Sequence, residues 1–160
     1  MASSPDSSPH PVPAAAVAAP RMQQMQEIAA DYGTEILKAT LGTDVSPALV
    51  LAVIGIESAG RPDAISSAGA QGLMQVMTSV HRDKYALFGG THEAVKPEVN
   101  IRVGAYILKY LIATAGSLRN GLKYYVGAAN AEDDGGYAEK VMAERNRLIA
   151  LCQSKSNNRV

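Results

Sequence analysis

Apolar residues recur at helical spacing along most of this chain. Met22, Met25, Ile28, Ala29, Tyr32, Ile36 and Leu37 fall on one helical face, which predicts an amphipathic first helix ended by Gly42. Its methionines read as core filler. Ser46 and Pro47 then supply a helix start, with Ser as the N-cap and Pro in the first turn. Residues 48–56 are almost continuously apolar. The β-branched Val50, Val53 and Ile54 suit a buried strand, but the Ser-Pro start and a run extending to Ala59 favour helix. Residues 60–63, Gly-Arg-Pro-Asp, break it. A short helix is expected over 72–80. A longer one is expected over 100–115, with Ile101, Ala105, Leu108, Leu111 and Ile112 on one face and its end near Gly116. A shorter helix over 118–125 and a turn at 133–136 follow. The last helix, over 137–152, turns Tyr137, Val141, Leu148 and Leu151 inward, and residues 154–160 should fray. The fold class is mainly α, without internal repeats.

Composition sets limits on partners. The 160 residues suffice for one domain with a real core. Residues 1–20 stand apart, with five prolines, many Ser and Ala, one acid and no Lys or Arg. They hold too few large apolar side chains for a core, so a disordered arm is expected, with the folded domain over 21–153. The arm is not a standard secretory signal, because the basic start is missing and Pro interrupts the apolar part. No apolar run is long enough to span a bilayer. Fifteen basic and fifteen acidic residues cancel, and no basic stripe is present, which argues against nucleic acid as a partner. The single cysteine, Cys152, rules out an internal disulfide and is expected to be half-buried. His10, His81 and His92 lack metal-ligand spacing, and no Gly-rich loop reads as a phosphate cradle, so neither metal nor cofactor is expected.

The chemistry concentrates at Glu57, at the end of the apolar run. A carboxyl group desolvated by Ile54, Ile56 and a nearby Met-rich segment holds its proton more tightly than a free one. Such a group serves as a general acid near neutral pH. The plainer alternative is that Glu57 caps or pairs at a helix end. No second carboxylate comes with a comparable setting: Asp63, Asp83 and Glu93 read as solvated surface acids.

Residues 57–77 read E-S-A-G-R-P-D-A-I-S-S-A-G-A-Q-G-L-M-Q-V-M. This closely resembles the E-S … S-x-x-G-A-x-G-L-M-Q-x-M signature of the soluble lytic transglycosylase (SLT) domain, a family with the goose-type lysozyme fold. Residues 97–108 resemble the family's P-x-x-N-I-x-x-G-x-x-Y-L. Tyr124, Tyr125, Val126 and Gly127 resemble its A-Y-N-x-G element, and residues 137–141 its closing Y-x-x-x-V helix. The resemblance covers roughly residues 30 to 150 in the right order. It implies a lysozyme-like helical domain with at most a small β-excursion, somewhere over residues 61–71.

The resemblance also implies cleavage of the β-1,4 link between N-acetylmuramic acid and N-acetylglucosamine in peptidoglycan glycan strands. Glu57 would protonate the leaving oxygen. Then, as carboxylate, it would take the proton of the muramic acid 6-hydroxyl as that hydroxyl closes a 1,6-anhydro ring. A tethered nucleophile has a high effective concentration, and an apolar wall of Met74, Val76 and Met77 would exclude water. Ser66 matches the family's sugar-contacting Ser, Gln75 and Met77 match cleft-lining positions, and Tyr125 matches a Tyr beside the catalytic acid, suited to hydrogen-bond its carboxyl group. Of the adjacent pair, only Tyr125 should face Glu57, leaving Tyr124 to pack elsewhere or reach solvent. Asn100 is a candidate sugar contact or a helix cap. Tyr106 and Tyr110 read as core or rim aromatics.

Two departures stand out: Val126 replaces the family's usual Asn, and Thr78 its usual Pro. A periplasmic or exported location, a monomeric state and service to a secretion, pilus or conjugation machine are expectations by analogy. A hydrolytic lysozyme of the same fold and an inactive wall-binding module are the alternatives.

Overall fold

The structure, a computed structural model, describes residues 22–158. The expected arm lies outside them. Helix α1 spans Met22–Thr40 and α2 spans Pro47–Ser58. A two-stranded hairpin follows, β1 Ala70–Gln71 and β2 Val76–Met77, then a single helical turn α3, Arg82–Tyr85. Two 3-10 turns, Ala86–Phe88 and Thr91–Glu93, lead into α4, Pro97–Ala115. Helices α5, Leu118–Tyr125, and α6, Tyr137–Asn157, close the fold.

Helix α2 is the central post. Ser46 caps it, its side chain accepting from the Leu49 amide at 3.1 Å, and Pro47 opens the first turn. Its side chains are buried on nearly every side, as an all-round apolar helix must be. Tertiary burial therefore overrides the strand preference of Val50, Val53 and Ile54. Helices α1 and α6 pack against it. In α1, Met25, Ile28 and Ile36 point into the core, whereas Leu37 is exposed. In α6, Tyr137, Val141 and Leu148 point inward, as the spacing predicts. That helix runs on to Asn157, and Cys152 is exposed rather than half-buried. Helix α4 starts three residues before the predicted Asn100, because Pro97 already fits the first turn.

The expected helix over 72–80 does not form. Those residues make the turn and second strand of the hairpin, which pairs Ala70 with Met77 and Gln71 with Val76 in antiparallel register. A further bridge joins Ile65 to Gln71 within the expected 61–71, and β2 carries the excursion past it to Met77. Two residues at positive φ, Gly72 at 80° and Gln75 at 51°, break helical continuity. The Asn100 amide then clamps the backbone of this turn. Its Oδ1 accepts from the Met74 amide at 2.8 Å, and its Nδ2 donates to the Gln71 carbonyl at 2.9 Å.

Candidate functional site

Glu57 sits in the last turn of α2, where the chain leaves the helix. Ser58 makes that exit: its hydroxyl donates to the Ile54 carbonyl at 3.1 Å and accepts from the Gly60 amide at 3.2 Å. Ala59 then turns left-handed at φ 55°, and the Gln24 side chain donates to its carbonyl at 3.2 Å. Glu57 is thereby held on the side of α2 that faces α6 and the hairpin. Only 7% of its surface is exposed.

One carboxyl oxygen is paired and the other is not. The Tyr137 hydroxyl donates to Glu57 Oε2 at 2.8 Å, while Oε1 is buried with no hydrogen-bond partner among the described residues. Burial pushes the Glu57 carboxyl up to about 8, and the bond from Tyr137 offsets part of that rise. At neutral pH the group is protonated. Because Oε2 already accepts a hydrogen bond, the acid proton belongs on Oε1, the oxygen with no protein partner.

Tyr137 was legible in the sequence only as an inward residue of the closing helix; its bond to the acid was not. The signal was its place at the start of that helix. Asp134, two residues before the Gly136 N-cap of α6, accepts from the Gly136 amide at 3.0 Å and the Ala138 amide at 3.1 Å, and so fixes where the first turn points Tyr137.

Tyr125 takes a different role from the one expected. Of the adjacent pair it is the buried one, and Tyr124 is 41% exposed. It lies close enough to Glu57 for the carboxylate charge to help burial hold its own proton on. Its hydroxyl, however, donates to the Met74 carbonyl at 2.7 Å, not to Glu57. Tyr125 thus pins the hairpin turn, and Tyr137 touches the acid.

Asn100 is also reassigned. It is fully buried and not at the helix cap, which Lys96 occupies. Besides its bonds to Met74 and Gln71 it donates to the Ala94 carbonyl at 3.1 Å, so its amide is taken up by backbone groups. Gln75 is 6% exposed, and its Nε2 donates to the carbonyls of Ala64 and Gly72, each at 3.0 Å. Those bonds hold a left-handed backbone that costs a non-glycine residue about 1 kcal/mol. Ser66 is half-buried and closes its own turn, its Oγ accepting from the Ala70 amide at 3.0 Å. Met77 is half-buried on β2, but Met74 and Val76 point into the core and form no cleft wall. Met74 packs on α4, where a Cβ on Gly104 would stand 2.5 Å from its sulfur.

Val126 is buried at the end of α5, filling with apolar volume the position where Asn is usual. Thr78 donates to the Gln71 side chain at 2.6 Å, a second tie across the hairpin. The other candidate acids stay away from this centre: Asp63 and Asp83 are exposed and Glu93 bonds Lys96. The second buried acid among the described residues, Glu144, is spent on Arg147. Glu57 therefore stands as a single proton-holding acid, set between tyrosines and a fastened hairpin.

A helical domain built round a central helix that ends in one desolvated acid, with a small hairpin, defines a lysozyme-like fold class. The comparisons make the class specific. Residues 34–145 match the Transglycosylase SLT domain family, and the chain belongs to it. It is 44% identical over 73 residues to the endo-type membrane-bound lytic murein transglycosylase A of Citrobacter koseri, covering 42% of this chain and 36% of that protein. The fold matches a 70-kDa soluble lytic transglycosylase in complex with bulgecin A, with TM-score 0.68 and 20% identity over 81% of this chain and 26% of that one. The Escherichia coli 70-kDa soluble lytic transglycosylase matches with TM-score 0.63 and 22% identity, over 71% of this chain and 23% of that one. The chain thus spans about a third or less of the length of these relatives.

Proposed function

We propose that this chain is a peptidoglycan lytic transglycosylase with Glu57 as its single acid and base. The observation that carries the reading is the protonated, desolvated carboxyl group whose Oε1 has no protein partner among the described residues. Oε1–H donates to the glycosidic oxygen as the bond to the muramic acid carbon breaks. The resulting carboxylate is steadied by the Tyr137 hydroxyl. It then accepts the proton of the substrate's own 6-hydroxyl as that oxygen bonds the anomeric carbon, giving a 1,6-anhydro end. The absence of a second acid beside Glu57 among the described residues supports a nucleophile supplied by the substrate rather than by the protein.

Ser66 and Met77, both half-buried beside the hairpin, are the sequence-matched residues that retain surface to offer a sugar, and the proposal keeps them as contacts. Tyr125, Gln75 and Asn100 act through the backbone they hold. The periplasmic wall is where such chemistry has its substrate. Action as a monomer, in local wall opening for a secretion, pilus or conjugation machine, belongs to the same proposal. Mass spectrometry of fragments released from purified sacculi tests the reaction. Anhydro ends, lighter than lysozyme products by one water, are expected. Hydrated reducing ends would make the enzyme a hydrolase, and no release at all would make it a wall-binding module.

A further inference from the structure

A groove of about 410 Å³ lies between the end of α1, the α3 turn with its following 3-10 segment, and α4. None of the residues assigned to the catalytic site lines it. Arg102, Tyr106 and Lys109 come from one face of α4, at spacings that stack side chains on a helix. Lys84 faces them from α3, paired at 3.6 Å with the exposed Asp83, which also lines the groove, so that cations outnumber acids there three to one. Arg102 and Lys109 have no ion-pair partner among the described residues. The charges of the whole chain cancel, and these side chains gather positive charge in one place. Beside them stand exposed apolar groups: Leu87 is 85% exposed and Tyr106 56%.

We propose that this groove binds a short acidic peptide segment of a partner protein, with carboxylates on Arg102, Lys109 and Lys84 and an apolar side chain against Leu87 and Tyr106. Charge complementarity selects the occupant. A neutral glycan would leave two unpaired cations without counter-charges. A nucleic acid backbone needs a basic track longer than this, and the chain's zero net charge provides no general attraction for it. The combination of cations and an apolar anchor in an open groove suits an acidic peptide with one large side chain, in which the charges set specificity and on-rate.

The test is fluorescence anisotropy of the purified chain with short labelled peptides, each a run of glutamates around a single leucine, phenylalanine or tyrosine. Saturable binding is expected, weakening as sodium chloride is raised. The double variant Arg102→Glu, Lys109→Glu should weaken it about tenfold or more, and Tyr106→Ala should weaken it with the charges intact. All three side chains are exposed, so circular dichroism should show the fold unchanged. The proposal is overturned if no peptide of the set binds saturably, or if the charge reversal has no effect. It is also overturned if inorganic polyphosphate or a pure glutamate chain binds as tightly, which would mean unselective attraction. Preferential binding of a peptide-bearing muropeptide would place the groove in substrate recognition instead and overturn it too.

Discussion

Replacing Glu57 with glutamine should make the protein more stable, and increasingly so as pH rises. The carboxyl group holds its proton up to about 8 in the fold, against an ordinary value of 4.5. Well below 4.5 both folded and unfolded chains are protonated there, and the group contributes no pH dependence. Between 4.5 and about 8 the unfolded chain ionises while the folded chain keeps the proton. Unfolding therefore releases a proton, and stability falls with rising pH. Each pH unit in that window is worth about 1.4 kcal/mol. The loss should be roughly 1 kcal/mol at pH 5 and about 3 kcal/mol at pH 7, approaching about 5 kcal/mol above pH 8. A glutamine side chain cannot ionise, so the Glu57→Gln variant escapes this loss while other groups titrate alike in both proteins. Urea denaturation of the two proteins at pH 5, 7 and 9 measures the difference directly. The gap should widen by about 2 kcal/mol or more from pH 5 to pH 7. A gap that stays constant with pH would mean that Glu57 is ionised in the fold, and the general-acid reading would fail with it. The same variant should lose sacculus digestion to background.

Tyr137→Phe removes the single hydrogen bond to Oε2, which lowers the Glu57 value; the alkaline limb of the pH–rate profile should move up, with turnover down about tenfold. An unshifted limb would refute the pairing. Tyr125→Phe leaves the Met74 carbonyl short of its donor and should cost about 1–2 kcal/mol in thermal or urea unfolding, without moving that limb. A shifted limb with unchanged stability would restore Tyr125 as the partner of the acid. Asn100→Ala strips three buried backbone partners at once and should cost about 3 kcal/mol or more, seen as a lowered urea midpoint. A midpoint within error of the parent would show that the hairpin does not need its clamp.

The helices were legible because their signals are local. The Ser46-Pro47 start, the left-handed Gly116 and the inward spacing of α6 each act within a turn or two of the residue concerned. The hairpin was not legible as a hairpin. Residues 72–80 contain nothing that forbids helix except Gly72, and what decides the matter is Asn100, 26 residues beyond Met74 in the chain. Local propensity cannot register an amide arriving from another helix. Glu57 itself was found through its apolar neighbours, which are sequence neighbours. Its true partner, Tyr137, lies 80 residues away, and a motif match to Tyr125 put the right kind of residue one helix too early. Side chains that match a family pattern, such as Gln75 and Asn100, hydrogen-bond the backbone of the hairpin loop, an arrangement no local pattern announces.

The hairpin beside Glu57 is fastened from behind, by an amide on α4, a hydroxyl on α5 and a Gln that binds its own loop. The turn that leads into it, Ser67, Ala68 and Gly69, is exposed and owes little to those ties. The ties come from buried side chains, and the exposed turn takes no part in them. Lengthening or recolouring that turn should leave the fold as firm as before. A scaffold partitioned in this way can be retuned one loop at a time, in the laboratory as in evolution.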